Sequence, residues 1–188
     1  MANSFKITLI GNTNAGKTCL SRRFQNDTYT DQPTATIGAC FMSKKVLVDR
    51  QSVSLAVWDT AGARAYLPLL PMYLRDANAV LLCVGLREPP DVDEMETFLE
   101  MVRTRAKHTK LVVVGTMSDA PESDTNILPL TDWANEHGLP VLVCSAKTGE
   151  GVDRVFEKVV TMLVDPDPNS GPAWDDYDNN NPPVVNRD

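Results

Sequence analysis

The residues with the clearest chemical potential lie near the N-terminus, in a loop from Gly11 to Thr18 that ends in Gly-Lys-Thr and follows an apolar stretch at 5–10. In such a loop, glycines let backbone N–H groups converge on a polyphosphate, Lys17 reaches the outer phosphates, and the Thr18 hydroxyl is a ligand for Mg²⁺. Because a strand pattern precedes the loop and a helical pattern follows it, we predict a nucleoside triphosphate site instead of a coincidental glycine turn. The predicted phosphate-binding residues are Asn14, Ala15, Gly16, Lys17, Thr18 and Cys19.

A second candidate group for phosphate chemistry lies at 58–62, where the end of a predicted strand reads Trp-Asp-Thr-Ala-Gly. A carboxylate at the position of Asp59 can hold Mg²⁺ through a water molecule, and the N–H of Gly62 can meet a terminal phosphate. We therefore assign Asp59 and Gly62 to the same site as the N-terminal loop.

Short apolar runs alternate with helical periods along the chain, which is typical of a mainly parallel sheet between layers of helices. The runs at 41–48 and 52–58 predict a hairpin, because only 49–51 separate them. The sequence thus predicts an α/β domain with a six-stranded mostly parallel sheet, one antiparallel edge strand, and helices on both faces. The predicted strands are 5–10, 41–48, 52–58, 79–85, 110–115 and 140–144.

Two of the intervening helices are predicted from apolar residues at helical spacing. Asp91 and Glu94 have the spacing of a capping box at the start of the first. We interpret both apolar stripes as faces that pack into the core. The first stripe comprises Val92, Met95, Leu99 and Val102, and the second comprises Val152, Val155, Phe156, Val159 and Leu163.

The composition fits one domain with its own core, since the chain has 188 residues and 43% hydrophobic residues. Most of the net charge of −7 lies after residue 164, where six aspartates and one arginine contribute −5. That segment, 165–188, is rich in Pro, Asn and Asp and is predicted to be an acidic disordered tail. Trp174 and Tyr177 within it are expected to be solvated, although they offer contacts for docking.

Several function classes are disfavoured by the same sequence. It has no basic stripe for nucleic acid, no apolar run of membrane-spanning length, and no secretory signal pattern. Its four cysteines lack metal-ligand spacing, so we expect reduced thiols in a cytoplasmic protein.

A family resemblance emerges from segments further along the chain. They are Asp27-Thr-Tyr29-Thr, Thr36-Ile-Gly38, the acidic segment at 58–62, and Ser145-Ala-Lys147. With the N-terminal loop, they make residues 4–164 similar to the small GTPases of the Ras superfamily, and most similar to the Rab family. The resemblance implies a single P-loop G domain at 1–164 that binds GTP or GDP with Mg²⁺, hydrolyses GTP, and serves as a switch in vesicle trafficking.

The resemblance also implies a metal site formed by Thr18, Thr36 and, through water, Asp59. Thr36 belongs to the first switch region and binds Mg²⁺ only while the γ-phosphate is present, so that loss of the phosphate frees the loop. Lys17 and Thr36 would assist in stabilising charge during cleavage.

Guanine recognition, on the same resemblance, rests on Asp119, whose carboxylate accepts from N1–H and from the 2-amino group. Adenine offers neither donor, so a carboxylate there favours guanine. Ala146 would donate its N–H to the guanine carbonyl, and the Lys147 stem would cover the ring beside Ser145. Tyr29 would lie edge-on against the base.

The expected partners are effector proteins and a GTPase-activating protein. Phe41, Trp58 and Tyr73 match the aromatic triad that Rab proteins present to effectors, and the alternative interpretation is ordinary packing between the switch regions.

The clearest departure from the family is Ala63, which replaces the glutamine that orients the attacking water. A methyl group cannot position water, so no residue is an evident catalytic base. We hypothesise intrinsic hydrolysis at or below about 10⁻³ per second unless a partner supplies the missing group. Arg64 is adjacent but is expected to point elsewhere.

The second departure lies in the base-reading motif, which is Thr116-Met-Ser-Asp119 where the family has Asn-Lys-x-Asp. Thr116 is too short to reach both the base and the phosphate loop, and Met117 lacks the lysine charge. Losing such contacts costs about 1 to 3 kcal/mol of affinity, which predicts rapid nucleotide release. Rapid release and slow cleavage together predict a protein that rests in its GTP form.

Two further features separate the chain from Rab proteins. The segment 66–72 is more apolar and richer in proline than its relatives, so its prolines would reduce the disorder available to this switch on phosphate loss. The alternative is that Leu69 and Leu70 simply pack into the core. The last cysteine is Cys144, so the sequence as given shows no C-terminal prenylation site, and either the native chain extends further or this member is not lipidated. We expect membrane association only if the native chain carries a lipidated C-terminal cysteine that is absent from this sequence.

Two alternatives to a GTPase remain open on the sequence. The first is a GTP-binding scaffold without turnover. The second is a nucleoside monophosphate kinase, which shares the phosphate loop but needs an arginine-rich lid that we do not find in the sequence.

Overall fold

The computed structural model describes residues 3–48 and 51–164. The predicted tail at 165–188, with Trp174 and Tyr177, lies outside the described residues, as do 49 and 50 of the predicted hairpin turn.

A six-stranded sheet forms the centre of the fold, in the spatial order β2-β3-β1-β4-β5-β6. Strands β2 and β3 pair antiparallel, and the other neighbours pair parallel. The predicted α/β class and the antiparallel edge strand are therefore confirmed. The strands are β1 (Asn3–Ile10), β2 (Ala39–Val48), β3 (Gln51–Thr60), β4 (Ala79–Gly85), β5 (Lys110–Thr116) and β6 (Val141–Val143).

Helices occupy the connections between the strands. A 3₁₀ helix at Arg64–Leu69 leads directly into the second α-helix, and a proline in each limits their length. The α-helices are α1 (Lys17–Asn26), α2 (Leu70–Leu74), α3 (Val92–Arg105), α4 (Ser123–Glu136) and α5 (Val152–Val164). In the described part of the chain, no helix combines the length and apolar character needed to cross a bilayer.

Each face of the sheet carries its own hydrophobic core, because side chains alternate sides along a strand. Leu81 of β4 packs in the core beneath α1 and α5, whereas its neighbour Leu82 packs in the core beneath α3 and α4. The first core is closed by Phe24 and Phe156, whose stacked rings lie 3.6 Å apart between centroids. Both predicted apolar stripes thus face the core.

The start of α3 confirms the predicted cap and corrects one stripe residue. The Asp91 side chain accepts a hydrogen bond from the N–H of Glu94 at 3.1 Å. Met95 and Leu99 are buried as predicted, but Val92 is exposed. Val92 is the first helical residue, where the chain is still entering the helix and its side chain turns toward solvent.

Helix α4 spans 14 residues and carries Trp133 near its C-terminal end. Trp133 is buried, and its indole Nε1 donates to Glu96 Oε1 at 2.7 Å. The Nε2 of His137, which follows α4, lies 2.7 Å from the same oxygen. Burial lowers the pKa of His137, and the Glu96 charge opposes that shift. This cluster joins α3 to α4 and has a structural role.

Candidate functional site

The Gly11–Thr18 loop connects the central strand β1 to α1, so it lies at the carboxyl edge of the sheet where ligands of parallel α/β folds bind. Asn14 and Gly16 have φ values of 66° and 74°, which turn the backbone sharply before the helix begins at Lys17. The loop is thereby wrapped at the N-terminus of α1, where the helix dipole favours an anion.

Lys17 is 5% exposed and lies inside the loop it follows. Its Nζ donates to the carbonyl oxygens of Gly11 at 2.7 Å and Asn12 at 2.6 Å. Burial lowers the pKa of the Lys17 ammonium, while nearby Cys83 and Asp59 oppose that shift. These two hydrogen bonds fix the position of the ammonium within the loop and leave its third N–H able to donate to a bound anion.

Three oxygen-bearing side chains from three segments converge beside the loop. Thr18 Oγ1 lies 2.8 Å from Thr36 Oγ1 and donates to Asp59 Oδ2 at 2.7 Å. Asp59 is 1% exposed, and among the described residues its Oδ1 has no hydrogen-bond partner. Burial raises the pKa of Asp59, whereas the Thr18 hydrogen bond and the Lys17 charge lower it.

This set of donors fits Mg²⁺, which takes hard oxygen ligands and is usually bound by one or two protein groups plus phosphate and water. Asp59 Oδ1 is a buried acceptor for which a metal-bound water is a suitable donor. Within 3–48 and 51–164 there is no group of three or more His, Cys, Asp and Glu side chains able to hold a metal. The two threonine hydroxyls and one carboxylate are therefore the metal-ligand set the chain offers here.

Gly62 lies against the phosphate loop so closely that only glycine fits. A Cβ built on Gly62 would lie 2.3 to 2.4 Å from backbone atoms of Asn12 and Thr13. Because those are backbone atoms, the clash cannot be relieved by a rotamer change. The predicted association of the 58–62 segment with the loop is thus seen in the fold.

The predicted base-reading residues lie together at the other end of the same cleft. Ser145 is fully buried, and its Oγ donates to Asp119 Oδ1 at 2.6 Å. The N–H of Thr148 donates back to Ser145 Oγ at 3.1 Å, which fixes the hydroxyl. Ser145 therefore orients the Asp119 carboxylate, a role that only the fold reveals.

A cavity of about 480 Å³ joins the loop to these residues. Its size is in the range of small-molecule and cofactor sites. Of the predicted cofactor-binding residues, the following line it: Asn14, Ala15, Gly16, Cys19, Tyr29, Asp119, Ala146 and Lys147.

Thr116 contacts the phosphate loop. Its buried hydroxyl donates to the carbonyl of Ala15 at 2.9 Å, because the end of β5 lies directly beside the loop, and it also lies 3.3 Å from the carbonyl of Val84. The hydroxyl has one proton, which these backbone carbonyls already accept, so it is not left to donate to a base. Met117 has a φ of 61°, and its Cε lies 3.5 Å from a Cβ built on Gly16.

The exposed Arg64 side chain is directed toward Glu94. Its Nη2 lies 3.5 Å from Glu94 Oε1, at the start of α3. The other carboxylate oxygen of Glu94 accepts from the side-chain amide of Asn12. Sequence analysis identified Glu94 only as a capping residue and missed this connection, since no local pattern relates residues 82 positions apart.

The predicted effector residues form one row across the sheet edge. The Trp58 ring lies 5.2 Å from Phe41 and 5.7 Å from Tyr73, centroid to centroid, and Phe41 is 55% exposed. In the adjoining segment Leu70 is buried whereas Leu69 is 42% exposed. Packing into the core, the alternative interpretation of these leucines, therefore holds for Leu70 but not for Leu69.

The phosphate loop at the end of β1, the carboxylate at the end of β3 and the doubly covered sheet define an α/β P-loop domain. A family model for the Ras family matches residues 6–165. The chain therefore belongs to the Ras family. Members of this family are GTPases, and the resemblance noted in the sequence is confirmed.

Individual relatives agree with this assignment. The chain is 32% identical over 169 residues to Ras-like GTP-binding protein RYL2 of Yarrowia lipolytica (strain CLIB 122 / E 150), with 85% of this chain and 81% of that protein covered. It is 31% identical to Ras-related protein Rab-18-B of Danio rerio, covering 86% of this chain and 80% of that protein. It is also 31% identical to Ras-related protein Rab-18 of Lymnaea stagnalis, with 86% and 81% covered.

The hydrogen bond from Thr116 to the phosphate loop yields a testable prediction. Thr116→Val keeps the side-chain shape but leaves the carbonyl of Ala15 without this donor, so we expect unfolding free energy to fall by about 1 to 3 kcal/mol in urea denaturation. Thr161→Val is the matched control, because the Thr161 hydroxyl bonds a carbonyl one turn earlier on an exposed helix face. A Thr116→Val loss no larger than that of the control would contradict the assigned role.

Proposed function

We propose that this protein is a Rab-like guanine-nucleotide switch that binds GTP and GDP with Mg²⁺ and hydrolyses GTP slowly. The observation that carries the proposal is the convergence of Thr18, Thr36 and Asp59 beside a loop that already encloses Lys17. A site of this kind suits a phosphate group accompanied by a divalent cation. The Rab relatives favour a place in vesicle trafficking.

In this proposal the loop N–H groups and Lys17 bind the phosphates, and Gly62 N–H meets the terminal one. Thr18 and Thr36 bind Mg²⁺ directly, and Asp59 binds it through water. The bound metal neutralises negative charge on the phosphates. The Thr36 hydroxyl lies on a segment without regular secondary structure, so its attachment to the site is the part that can be lost when phosphate leaves.

Selection of guanine is assigned to Asp119. Ser145 holds one carboxylate oxygen, which leaves Oδ2 and the second lone pair of Oδ1 to accept from the base. The Ala146 N–H binds the guanine carbonyl, the Lys147 stem covers the ring, and Tyr29 lies edge-on against the base; all three residues line the cavity.

Calorimetric titration tests nucleotide binding. We expect GTP and GDP to bind and ATP to bind far more weakly, and Asp119→Ala to lose about 2 to 4 kcal/mol of GDP affinity, because the base donors lose their acceptor. Asp124→Ala, at the exposed start of α4, is the matched control. Failure of both guanine nucleotides to bind, or a preference for ATP, would overturn the proposal.

Slow cleavage is proposed from the chemistry around Ala63. The methyl side chain cannot orient water, and the guanidinium of Arg64, the next residue in the chain, is directed toward Glu94. Catalysis therefore relies on charge stabilisation by Lys17 and Thr36, unless a GTPase-activating protein supplies the missing group.

A single-turnover assay checks this account. Ala63→Gln is expected to accelerate cleavage of bound GTP by about 10- to 100-fold, because it supplies a group that can position water. Ala63→Leu, which adds bulk without an amide, should not accelerate it. Cleavage by the unmodified protein, without a partner, at the speed of the Ala63→Gln variant would refute the assignment.

The composition of the base-reading motif also supports rapid nucleotide release. The Thr116 hydroxyl donates to the phosphate loop and Met117 is uncharged, so base and ribose receive fewer polar contacts than an Asn-Lys pair would supply. With slow cleavage, rapid release leaves the protein largely in its GTP form.

Stopped-flow release of a fluorescent GDP analogue, with Mg²⁺ present, measures this property. The double variant Thr116→Asn with Met117→Lys should release nucleotide about 5- to 150-fold more slowly than the unmodified chain. Release from the unmodified chain on the timescale of hours would contradict rapid release.

Effector binding is assigned to the aromatic row of Phe41, Trp58 and Tyr73 with the exposed Leu69 and Met72 beside it. Aromatic side chains on a surface next to two switch segments are suited to serve as interface anchors. The alternative function, a GTP-binding scaffold without turnover, uses the same surface and differs only in whether phosphate is released.

A further inference from the structure

The Arg23 guanidinium connects the end of α1 to the base-reading loop, more than 120 residues further along the chain. It is placed by α1, and its side chain is 16% exposed. Its Nε donates to the carbonyl of Ala146 at 2.7 Å, and its Nη2 donates to the carbonyl of Lys147 at 3.0 Å. Its Nη1 donates to Asp27 twice, to the carbonyl at 2.9 Å and to the carboxylate at 2.8 Å.

The two loop carbonyls belong to successive peptide groups of the base-reading loop. A peptide group is planar, with its N–H opposite its C=O, so a hydrogen bond to the carbonyl also fixes the direction of the following N–H. Bonds to Ala146 and Lys147 therefore fix two adjacent peptide planes in a segment without helix or strand. A planar guanidinium is suited to this task because it presents several donors in fixed directions.

The remaining two hydrogen bonds of Arg23 reach the residue that precedes another cavity-lining segment. Asp27 ends α1 with a φ of 54° and is followed directly by 28–31, which includes Tyr29. Tyr29 lines the cavity together with Ala146 and Lys147. Arg23 thus contacts the backbone next to Tyr29 as well as the base-reading loop.

We propose that Arg23 is a positioning residue that keeps the base-reading loop closed on the nucleotide and so sets the rate of nucleotide release. The inference rests on the proposed function, since it concerns the same site. Arg23 touches only protein atoms in this arrangement and acts through Ala146 and Lys147. Its contribution is large in this chain because Thr116 and Met117 provide few contacts to the base.

The four hydrogen bonds are expected to contribute unequally. The Asp27 side chain is 90% exposed, so its ion pair with Arg23 is screened by solvent. The Nε bond to the carbonyl of Ala146 is partly buried, and together with the Nη2 bond to Lys147 it acts on the backbone of the loop itself. Removal of the Asp27 carboxylate should therefore leave the role of Arg23 largely intact.

Release of a fluorescent GDP analogue tests the inference. Arg23→Ala should release it about 10-fold faster than the unmodified chain, and Arg23→Lys should be intermediate, since an ammonium cannot match the geometry of both carbonyls. Asp27→Ala should stay within about 2-fold of the unmodified chain. Arg154→Ala, at an exposed arginine of α5, is the matched control and should have no effect.

Amide hydrogen exchange of the GDP-loaded protein separates positioning from general destabilisation. In Arg23→Ala we expect faster exchange at 145–151 and unchanged exchange in the central strand β4. The release effects of Arg23→Ala and Lys147→Ala should also be less than additive, because both act through one loop. Faster exchange throughout the protein, or full additivity, would overturn the inference.

The outcomes distinguish this inference from the proposed function. If the unmodified protein binds no guanine nucleotide, the proposed function fails. If it binds GDP and Arg23→Ala releases GDP at the unmodified rate, only the role of Arg23 fails. Should Arg23→Ala not fold, Arg23→Lys decides, and a release rate equal to that of the unmodified chain would refute the positioning role.

Discussion

The mutual enclosure of the Lys17 ammonium and its loop is the interaction on which the rest of the site depends. A buried cation is unfavourable unless polar atoms surround it, and here two loop carbonyls accept hydrogen bonds from two of the three ammonium N–H groups. In return, the ammonium holds together backbone that turns through left-handed conformations at Asn14 and Gly16. The loop and the ammonium together form a concave surface suited to an anion at the start of α1. The other candidate site residues lie around this loop.

Neighbouring segments lie so close to the phosphate loop that their contact residues leave little room for substitution. Gly62 lies against the backbone of Asn12, Thr116 bonds the carbonyl of Ala15, and Asp59 bonds the first hydroxyl of α1. These segments all leave the same edge of the sheet, because β1, β3, β4 and β5 run parallel. A parallel sheet thus brings together several strand ends, and the chemistry follows from which side chains those ends carry.

The departures from the family change individual groups and leave the framework in place. Ala63 lacks a polar group, and Thr116 directs its hydroxyl to the loop where a longer side chain could also reach a base. The loop accommodates both replacements because the backbone of Gly62 still packs against Asn12 and the carbonyl of Ala15 still accepts a hydrogen bond from Thr116. Contacts behind the cleft, such as those of Arg23, then carry more of the task of keeping the base site ordered.

By itself the sequence determined the nature of the chemistry and the class of the fold. The Gly11–Thr18 loop predicts phosphate binding, Ala63 predicts a missing catalytic group, and alternating strand and helix patterns specify a mainly parallel sheet, all through local spacing. Only the tertiary structure decided which distant groups meet: Thr116 with Ala15 across 101 residues, Asn12 with Glu94 across 82, and Arg23 with Ala146 across 123. It also buried Leu70 and exposed Val92. Such contacts depend on strand order and on the angles at which helices pack, and periodicity along the chain does not encode either of these.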